Sequence, residues 1–290
     1  KLFPMLHGDV LLLTSGGNNS LAASMEILSF LNQNGRKGEI LHGDASYIAE
    51  RVRLALGKVL QGQRIGVVGK PSDWLIASAP NTDRLRDCLG LELAEVDIVK
   101  LIDKVAKLRA EGRHYPMLHE NVPERLVPVY KDAMLVYAAL KELVYEYKLS
   151  ALTIRCFDLL GTIGNTACLA LAMLNSEGVP ASCEGDIPAL VTMMLSQQLF
   201  HRTGFQANPA SIRSDEMLFA HCTVPFNMVK SYQFDTHFES GIGIAIAGNL
   251  LEGDVTLFKV AGDLRRFFVA EGSLLRNQHE PNLCRTQVLL

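Results

Sequence analysis

A chain of 290 residues that is 48% hydrophobic and 20% charged is long enough for two domains, with a third if one is cut short. A net charge of −3, a pI near 6.3 and the lack of a basic stripe interleaved with aromatics argue against a nucleic-acid partner. No apolar run reaches the roughly 18 residues of a membrane span, no signal peptide is evident, and the six cysteines form no CxxC pair, so free thiols in a reducing cytoplasm are expected.

The predicted elements alternate. Residues 9–15 (DVLLLTS) are a continuous apolar run, the mark of a buried parallel strand. The loop GGNNS at 16–20 leads into helical spacing over 21–32. A strand is expected at 39–42, a helix over 48–60, a strand over 64–69 (RIGVVG), a helix over 83–89, a strand over 91–96 and a helix over 98–109. Residues 110–128 hold three prolines and two histidines and read as a long irregular loop, either a functional lid or a flexible connection. A helix over 129–149, a strand at 151–157, a helix over 165–175, a strand at 180–183 and a long apolar helix follow. Repeated βα units of this kind imply an α/β fold with a doubly wound parallel sheet. After residue 204 the strand-like runs at 217–220, 241–247, 254–260 and 266–270, separated by Gly, Asn and Asp, predict antiparallel sheet or barrel. The chain opens without an initiator methionine and stops at Val288-Leu289-Leu290 within a strand-like run, so flanking sequence is expected.

The junction of these two regions carries the chemistry. Glu184 and Asp186 sit between a strand and an apolar helix, Asn208 lies in a turn beside Pro209, and His221 ends an apolar run. Oxygen ligands plus one imidazole suit a hard or borderline divalent cation such as Mn²⁺, and a carboxylate beside it can move protons. Each residue also has a structural explanation. Asp186 can cap the helix and Glu184 favour its positive end; Asn208 can be a turn residue and His221 a hydrogen-bonded core histidine. His237 likewise follows an apolar run, with Glu239 on the same strand face.

Two loops offer polar groups for a ligand. Gly69-Lys70-Pro71-Ser72-Asp73-Trp74 follows a strand but lacks the P-loop pattern; Ser72 and its neighbours could hold a polar sugar group, and Trp74, the only tryptophan, could stack on it. Asn19 in the first loop could bind hydroxyls or cap a helix. GxGxxG and GxSxG are both missing.

Taken in order, these motifs resemble the L-fucose/L-arabinose isomerase superfamily, most closely its fucose-isomerase-like branch. The residues that carry the resemblance are NNSLAAS at 18–24, GKPSDWLIAS at 69–78, TIRCFDLL at 153–160, LNSEGVPASCEGDIPAL at 174–190, AHCTVP at 220–225, HFESG at 237–241 and CRTQV at 284–288. The resemblance implies a metal-dependent aldose–ketose isomerase that uses Mn²⁺ or another divalent cation and passes through an ene-diol. It also implies Rossmann-like domains followed by a β-rich, barrel-like C-terminal domain, assembled as a homo-trimer or homo-hexamer. On that basis residues 1–62 are a partial first Rossmann-like domain, 63–203 a second, and 204–290 the barrel-like domain.

Position by position, Glu184 matches the first metal-binding carboxylate and base, and His221 matches a metal-ligand histidine. Asn208 stands where the second carboxylate belongs, and an amide cannot accept a proton. Asp186 is then the candidate stand-in acid, and Asn19, Ser72, Trp74 and His237 are candidate substrate contacts. His279 is the only candidate for a further late histidine of the family. The expected function is isomerisation of a small fucose- or arabinose-type sugar. The alternatives are a catalytically weakened sugar-binding or regulatory protein on the same fold, or another transformation of a modified sugar.

Overall fold

The computed structural model describes residues 9–15, 17–55, 59–78, 82–119 and 121–290. Gly16 of the first loop and residues 56–58 of the expected second helix lie outside them. The chain forms two compact units, divided between Val59 and Leu60.

The first unit holds β1 (Val10–Leu13), α1 (Ser20–Gln33), β2 (Gly38–Leu41) and α2 (Ala45–Ala55). The two strands pair in parallel, from Val10 opposite Gly38 to Leu13 opposite Leu41. Leu31 of α1 and Leu41 are buried, whereas Leu13 is 68% exposed. The apolar run of β1 therefore does not become a strand covered on both faces.

The second unit begins with β3 (Arg64–Val68), α3 (Thr82–Leu89), β4 (Glu92–Val96), α4 (Ile98–Ala110), α5 (Val127–Glu146), β5 (Ala151–Ile154), α6 (Cys168–Ser176), β6 (Ala181–Cys183) and α7 (Ile187–Phe200). β4, β3, β5 and β6 form one all-parallel sheet in that order. Alternate strand residues feed two cores, because side chains of a strand alternate between faces. Val68, Val96, Leu152 and Ile154 pack with α4, α5 and α6. Ile65, Val67 and Ala151 pack with Leu85 of α3 and with Ile187, Leu190, Val191 and Met194 of α7. Helix ends follow local chemistry: the Asp97 side chain accepts from the Val99 N–H at the start of α4.

The described residues of the loop, 111–119 and 121–126, are irregular apart from a 3₁₀ turn at Glu124–Leu126, as the prolines lead one to expect. It is pinned rather than loose. The His119 ring lies among Tyr130, Phe226, Tyr232 and Phe234, and its Nδ1 meets the Tyr130 hydroxyl at 2.8 Å.

Beyond α7 all regular elements are strands and short turns: β7 (Asn208–Arg213), β8 (Glu216–His221), β9 (Val229–Asp235), β10 (Ala245–Leu250), β11 (Gly253–Val260), β12 (Phe267–Leu274), β13 (Arg276–Gln278) and β14 (Thr286–Leu289). β13, β14, β8 and β7 make one antiparallel sheet, and β9–β10 and β11–β12 are separate hairpins. The expected barrel is corrected here, because the described strands close no barrel. The β9–β10 and β11–β12 strands pair only within their own hairpins, and both edges of β14 are taken by β8 and β13. β10 therefore meets β14 through a side chain: the Thr286 hydroxyl accepts from the Gly248 N–H and donates to the Ile246 carbonyl. No helix among the described residues is long and apolar enough to cross a membrane.

Candidate active site

Parallel strands all end at one edge, and ligands in open α/β sheets bind outside that carboxyl edge. Here it gathers the loop after β3 with Ser72 and Trp74, the segment after β5 with Arg155 and Phe157, and the turn after β6 with Glu184. The C-terminal sheet adds Asn208, the first residue of β7, and His221, the last of β8. Asn208 lies opposite Ala220 in that ladder, so its register brings it beside the end of β8. Pro209 is tolerated there because β7 is an edge strand and needs no N–H for a further neighbour.

Glu184 is the hub. Its Oε1 accepts from Asn208 Nδ2 at 2.9 Å and lies 3.7 Å from His221 Nε2, while its Oε2 accepts from Trp74 Nε1 at 3.3 Å. Glu184 has φ 66°, a left-handed conformation that costs a non-glycine residue roughly 1–3 kcal/mol and is held only where the surroundings fix it. They do so here: the Ser72 N–H donates to the Glu184 carbonyl, and the Gly185 N–H donates to the Ile154 carbonyl. Gly185 has φ 69°, and a Cβ on it would stand 2.5 Å from Pro71 Cα and 2.8 Å from the Lys70 carbonyl oxygen. Only glycine lets the two loops approach so closely.

The electrostatics follow from this geometry. Burial opposes the charge on Glu184. The polar contact and charge of His221, with the donors Asn208 and Trp74, outweigh it and hold the carboxyl down at about 2. Burial likewise opposes protonation of His221, but Glu184 and the neighbouring Cys183 and Cys284 sulfurs raise it to about 9. The pair is therefore a carboxylate facing an imidazolium at neutral pH. Thr223 Oγ1 meets His221 Nδ1 at 2.9 Å, which leaves Nε2 to face Glu184.

Of the residues singled out in the sequence, Glu184, Asn208, His221 and Trp74 are brought into direct contact. Ser72 sits against the Glu184 backbone; it is buried, and its hydroxyl has no hydrogen-bond partner. Trp74 is half exposed, with Phe157 edge-on at 5.7 Å and the Arg155 guanidinium 5.7 Å from its ring. His237 packs edge-on against Phe157 at 5.6 Å, one ring removed from Trp74. Asp186 is engaged elsewhere. Its Oδ1 accepts from the Ala189 N–H at the start of α7, and its Oδ2 pairs with Lys259 at 2.9 Å. Asn19 belongs to the first unit, where it is exposed, has φ 57° and precedes α1 without a side-chain cap. His279 lines a separate cavity of ≈ 720 Å³ with Arg125, Tyr232, Asp235 and Arg285.

Sequence reading missed Thr223 and Arg155. Thr223 stands two residues beyond His221, a same-face spacing that could have paired them. Arg155 is a charge directly after a buried strand, and it pairs with Asp73 at 3.0 Å.

The donor set tests the expected cation. One carboxylate, one amide and one imidazole fit a hard or borderline divalent ion. The fit requires the Asn208 side chain to turn, since its nitrogen now faces Glu184.

No family model matches the chain. The relatives it does match are isomerases of a sugar. It is 26% identical over 263 residues to a protein of Alkalicoccus urumqiensis named sulfoquinovose isomerase, a match covering 83% of this chain and 59% of that protein. Sulfoquinovose isomerases of Priestia aryabhattai and Priestia megaterium are 25% identical over 235 residues, covering 75% of this chain and 52% of theirs. The chain spans about half the length of the curated relatives it matches. These relatives are named for the isomerisation of a sugar, and their names do not distinguish the fucose-isomerase branch.

Proposed function

We propose that this chain carries the active site of a cation-dependent aldose–ketose isomerase, with Glu184 as the proton-transferring base. The observation that carries this reading is the meeting of Glu184, Asn208 and His221 at the carboxyl edge of the parallel sheet. Glu184, the turned amide of Asn208 and His221 Nε2 would hold a divalent cation such as Mn²⁺. Held there, it would supply Lewis-acid stabilisation of the negative charge that develops on the sugar during proton transfer.

The chain's own residues supply the rest. Glu184 takes the proton from C2 of the aldose and returns it to C1, adjacent carbons within reach of a single carboxylate, while the proton of the C2 hydroxyl passes to O1, so that the ene-diol collapses to the ketose. It is a poor acceptor while it faces an imidazolium, so proton transfer requires His221 to be neutral. The half-exposed Trp74 ring offers a face to the sugar, and its N–H steadies Glu184. Ser72, whose hydroxyl is buried, serves through its backbone N–H, which holds the Glu184 carbonyl. Asp186, with both oxygens committed, serves the start of α7 in this scheme.

The names of the relatives make sulfoquinovose the first sugar to try, ahead of fucose- and arabinose-type aldoses. A cytoplasmic homo-trimer or homo-hexamer, on the fucose-isomerase-like branch, completes the proposal and rests on the sequence motifs. The test is conversion of an aldose panel with added Mn²⁺, followed by NMR in D₂O. Solvent deuterium should enter C1 of the ketose, and Glu184→Gln should lower turnover by roughly 10²–10⁴-fold. Undiminished turnover in Glu184→Gln would falsify the role of Glu184.

Asn208 favours a second reading, a sugar-binding or regulatory protein whose chemistry is weakened. It predicts that sugars raise the melting temperature while no metal supports conversion.

A further inference from the structure

We propose that Cys222, His237 and Cys284 form a second cation site, a thiolate–imidazole set suited to Zn²⁺ and separate in its ligands from the Glu184 cluster. The three residues lie far apart in sequence and are brought together by the C-terminal strands. Cys222 directly follows β8, His237 lies just beyond β9, and Cys284 precedes β14 by two residues. β14 pairs with β8 so that Thr286 faces His221, which sets Cys284 beside the end of the strand that carries Cys222. One ligand atom from each residue lies within 4.8 Å of the other two, and it is the one such group of His, Cys, Asp or Glu found among the described residues.

That spacing is close to what a bound ion needs. Zn–S and Zn–N bonds of about 2.0–2.3 Å in a tetrahedron put ligand atoms roughly 3.5 Å apart. Closing from the observed spacing is a matter of side-chain adjustment, without refolding. Two further contacts are those seen around metal-bound thiolates and imidazoles. The Arg285 backbone N–H donates to the Cys222 sulfur at 3.4 Å, and the Ser240 hydroxyl meets His237 Nδ1 at 3.3 Å. The latter leaves His237 Nε2 to point at an ion, and outer partners of this kind orient metal ligands. Phe157, edge-on to the imidazole, restricts its rotation further.

Ligand chemistry selects the ion. Two sulfurs and one nitrogen with no carboxylate favour Zn²⁺ over Mn²⁺ or Mg²⁺. Cys222 and His237 are buried and Cys284 is partly exposed, so the open side of the site faces outward past Cys284. Three protein ligands leave a fourth position for water or another small ligand. Cys168, which contacts Cys222 from the apolar side, is the alternative fourth ligand.

The competing explanation is a packed set of hydrogen-bonded thiols that binds nothing. A Co²⁺ titration of the reduced full-length protein separates the two. We expect a near-ultraviolet thiolate-to-cobalt charge-transfer band that saturates at one equivalent, is displaced by Zn²⁺ and persists in Glu184→Gln. Zn²⁺ should also protect Cys222 and Cys284 from alkylation in the wild-type protein, read by peptide mass spectrometry, so the conclusion does not depend on a variant folding. Cys284→Ser, checked by circular dichroism, should lose the band. Absence of the band, its survival in the Cys222→Ser/Cys284→Ser double variant, or protection confined to Cys156 and Cys183 would each overturn the proposal. None of these readouts involves sugar turnover, so they stand whether or not the isomerase reading holds.

Discussion

The contact between Glu184 and His221 makes the metal-free protein's stability depend on pH in a definite way. His221 has its affinity for a proton raised from 6.5 to about 9, so its contribution is fully present below pH 6.5 and is lost as pH rises through 9. Glu184 is lowered from 4.5 to about 2, so its contribution is present above pH 4.5 and is lost as pH falls through 2. The metal-free melting temperature should therefore be highest between pH 4.5 and 6.5 and fall toward pH 9. His221→Gln should flatten that alkaline fall. Thermal melts in the presence of a chelator measure both, and an equal fall in the variant would show that the pair is not its cause. The Glu184 backbone, held at φ 66°, belongs to the same scale. Strain of this kind gathers at functional sites because only a fixed environment maintains it.

At the scale of elements, the site depends on how closely the loop after β3 meets the turn after β6. Gly185 is the point of contact. In Gly185→Ala the new methyl would stand 2.5 Å from Pro71 Cα on a backbone with φ 69°. Both effects push the turn away from the sheet edge. We expect a loss of roughly 1–3 kcal/mol in unfolding free energy, measured by urea denaturation. An unchanged midpoint would mean that the loops part without cost. The same elements show what sequence could and could not give. The βα order from β3 to α7 was legible, because hydrophobic period and turn residues are local signals. Asp186 at the start of α7 was legible too, as a helix cap. β7, β9 and β13 were not predicted. β7 is an exposed edge strand with a proline and an irregular register at 209–211, so it carries no alternation to read. The barrel expectation failed because the described β9–β10 and β11–β12 strands pair only within their own hairpins, a choice of partners that strand patterning does not encode.

For the whole molecule, cation binding and folding are linked, since an ion that binds only the folded state stabilises it. Mn²⁺ at about a hundred times its dissociation constant should add about 2.7 kcal/mol to stability and raise the melting temperature. Glu184→Gln should remove most of that shift. Asn208→Asp should enlarge it by adding a second carboxylate, while lowering the stability of the metal-free form through repulsion with Glu184. Differential scanning fluorimetry with and without Mn²⁺ reads all three proteins. A shift of equal size in Glu184→Gln would place the ion elsewhere. The thiol cluster at Cys222, His237 and Cys284 belongs to this scale as well, because no spacing rule joins residues from three separate strand ends.

The sequence by itself determined the alternation of strands and helices, the β-rich end and the position of Glu184 at a strand terminus, since these follow from neighbouring residues. The link from Glu184 to Asn208 and His221 rested on resemblance to a family, because spacing alone reads Asn208 as a turn and His221 as core. Tertiary structure decided the contacts themselves. Asn208 and Trp74 reach Glu184 across 24 and 110 positions of chain, a convergence that sheet register and one glycine at 185 control and that no local signal encodes.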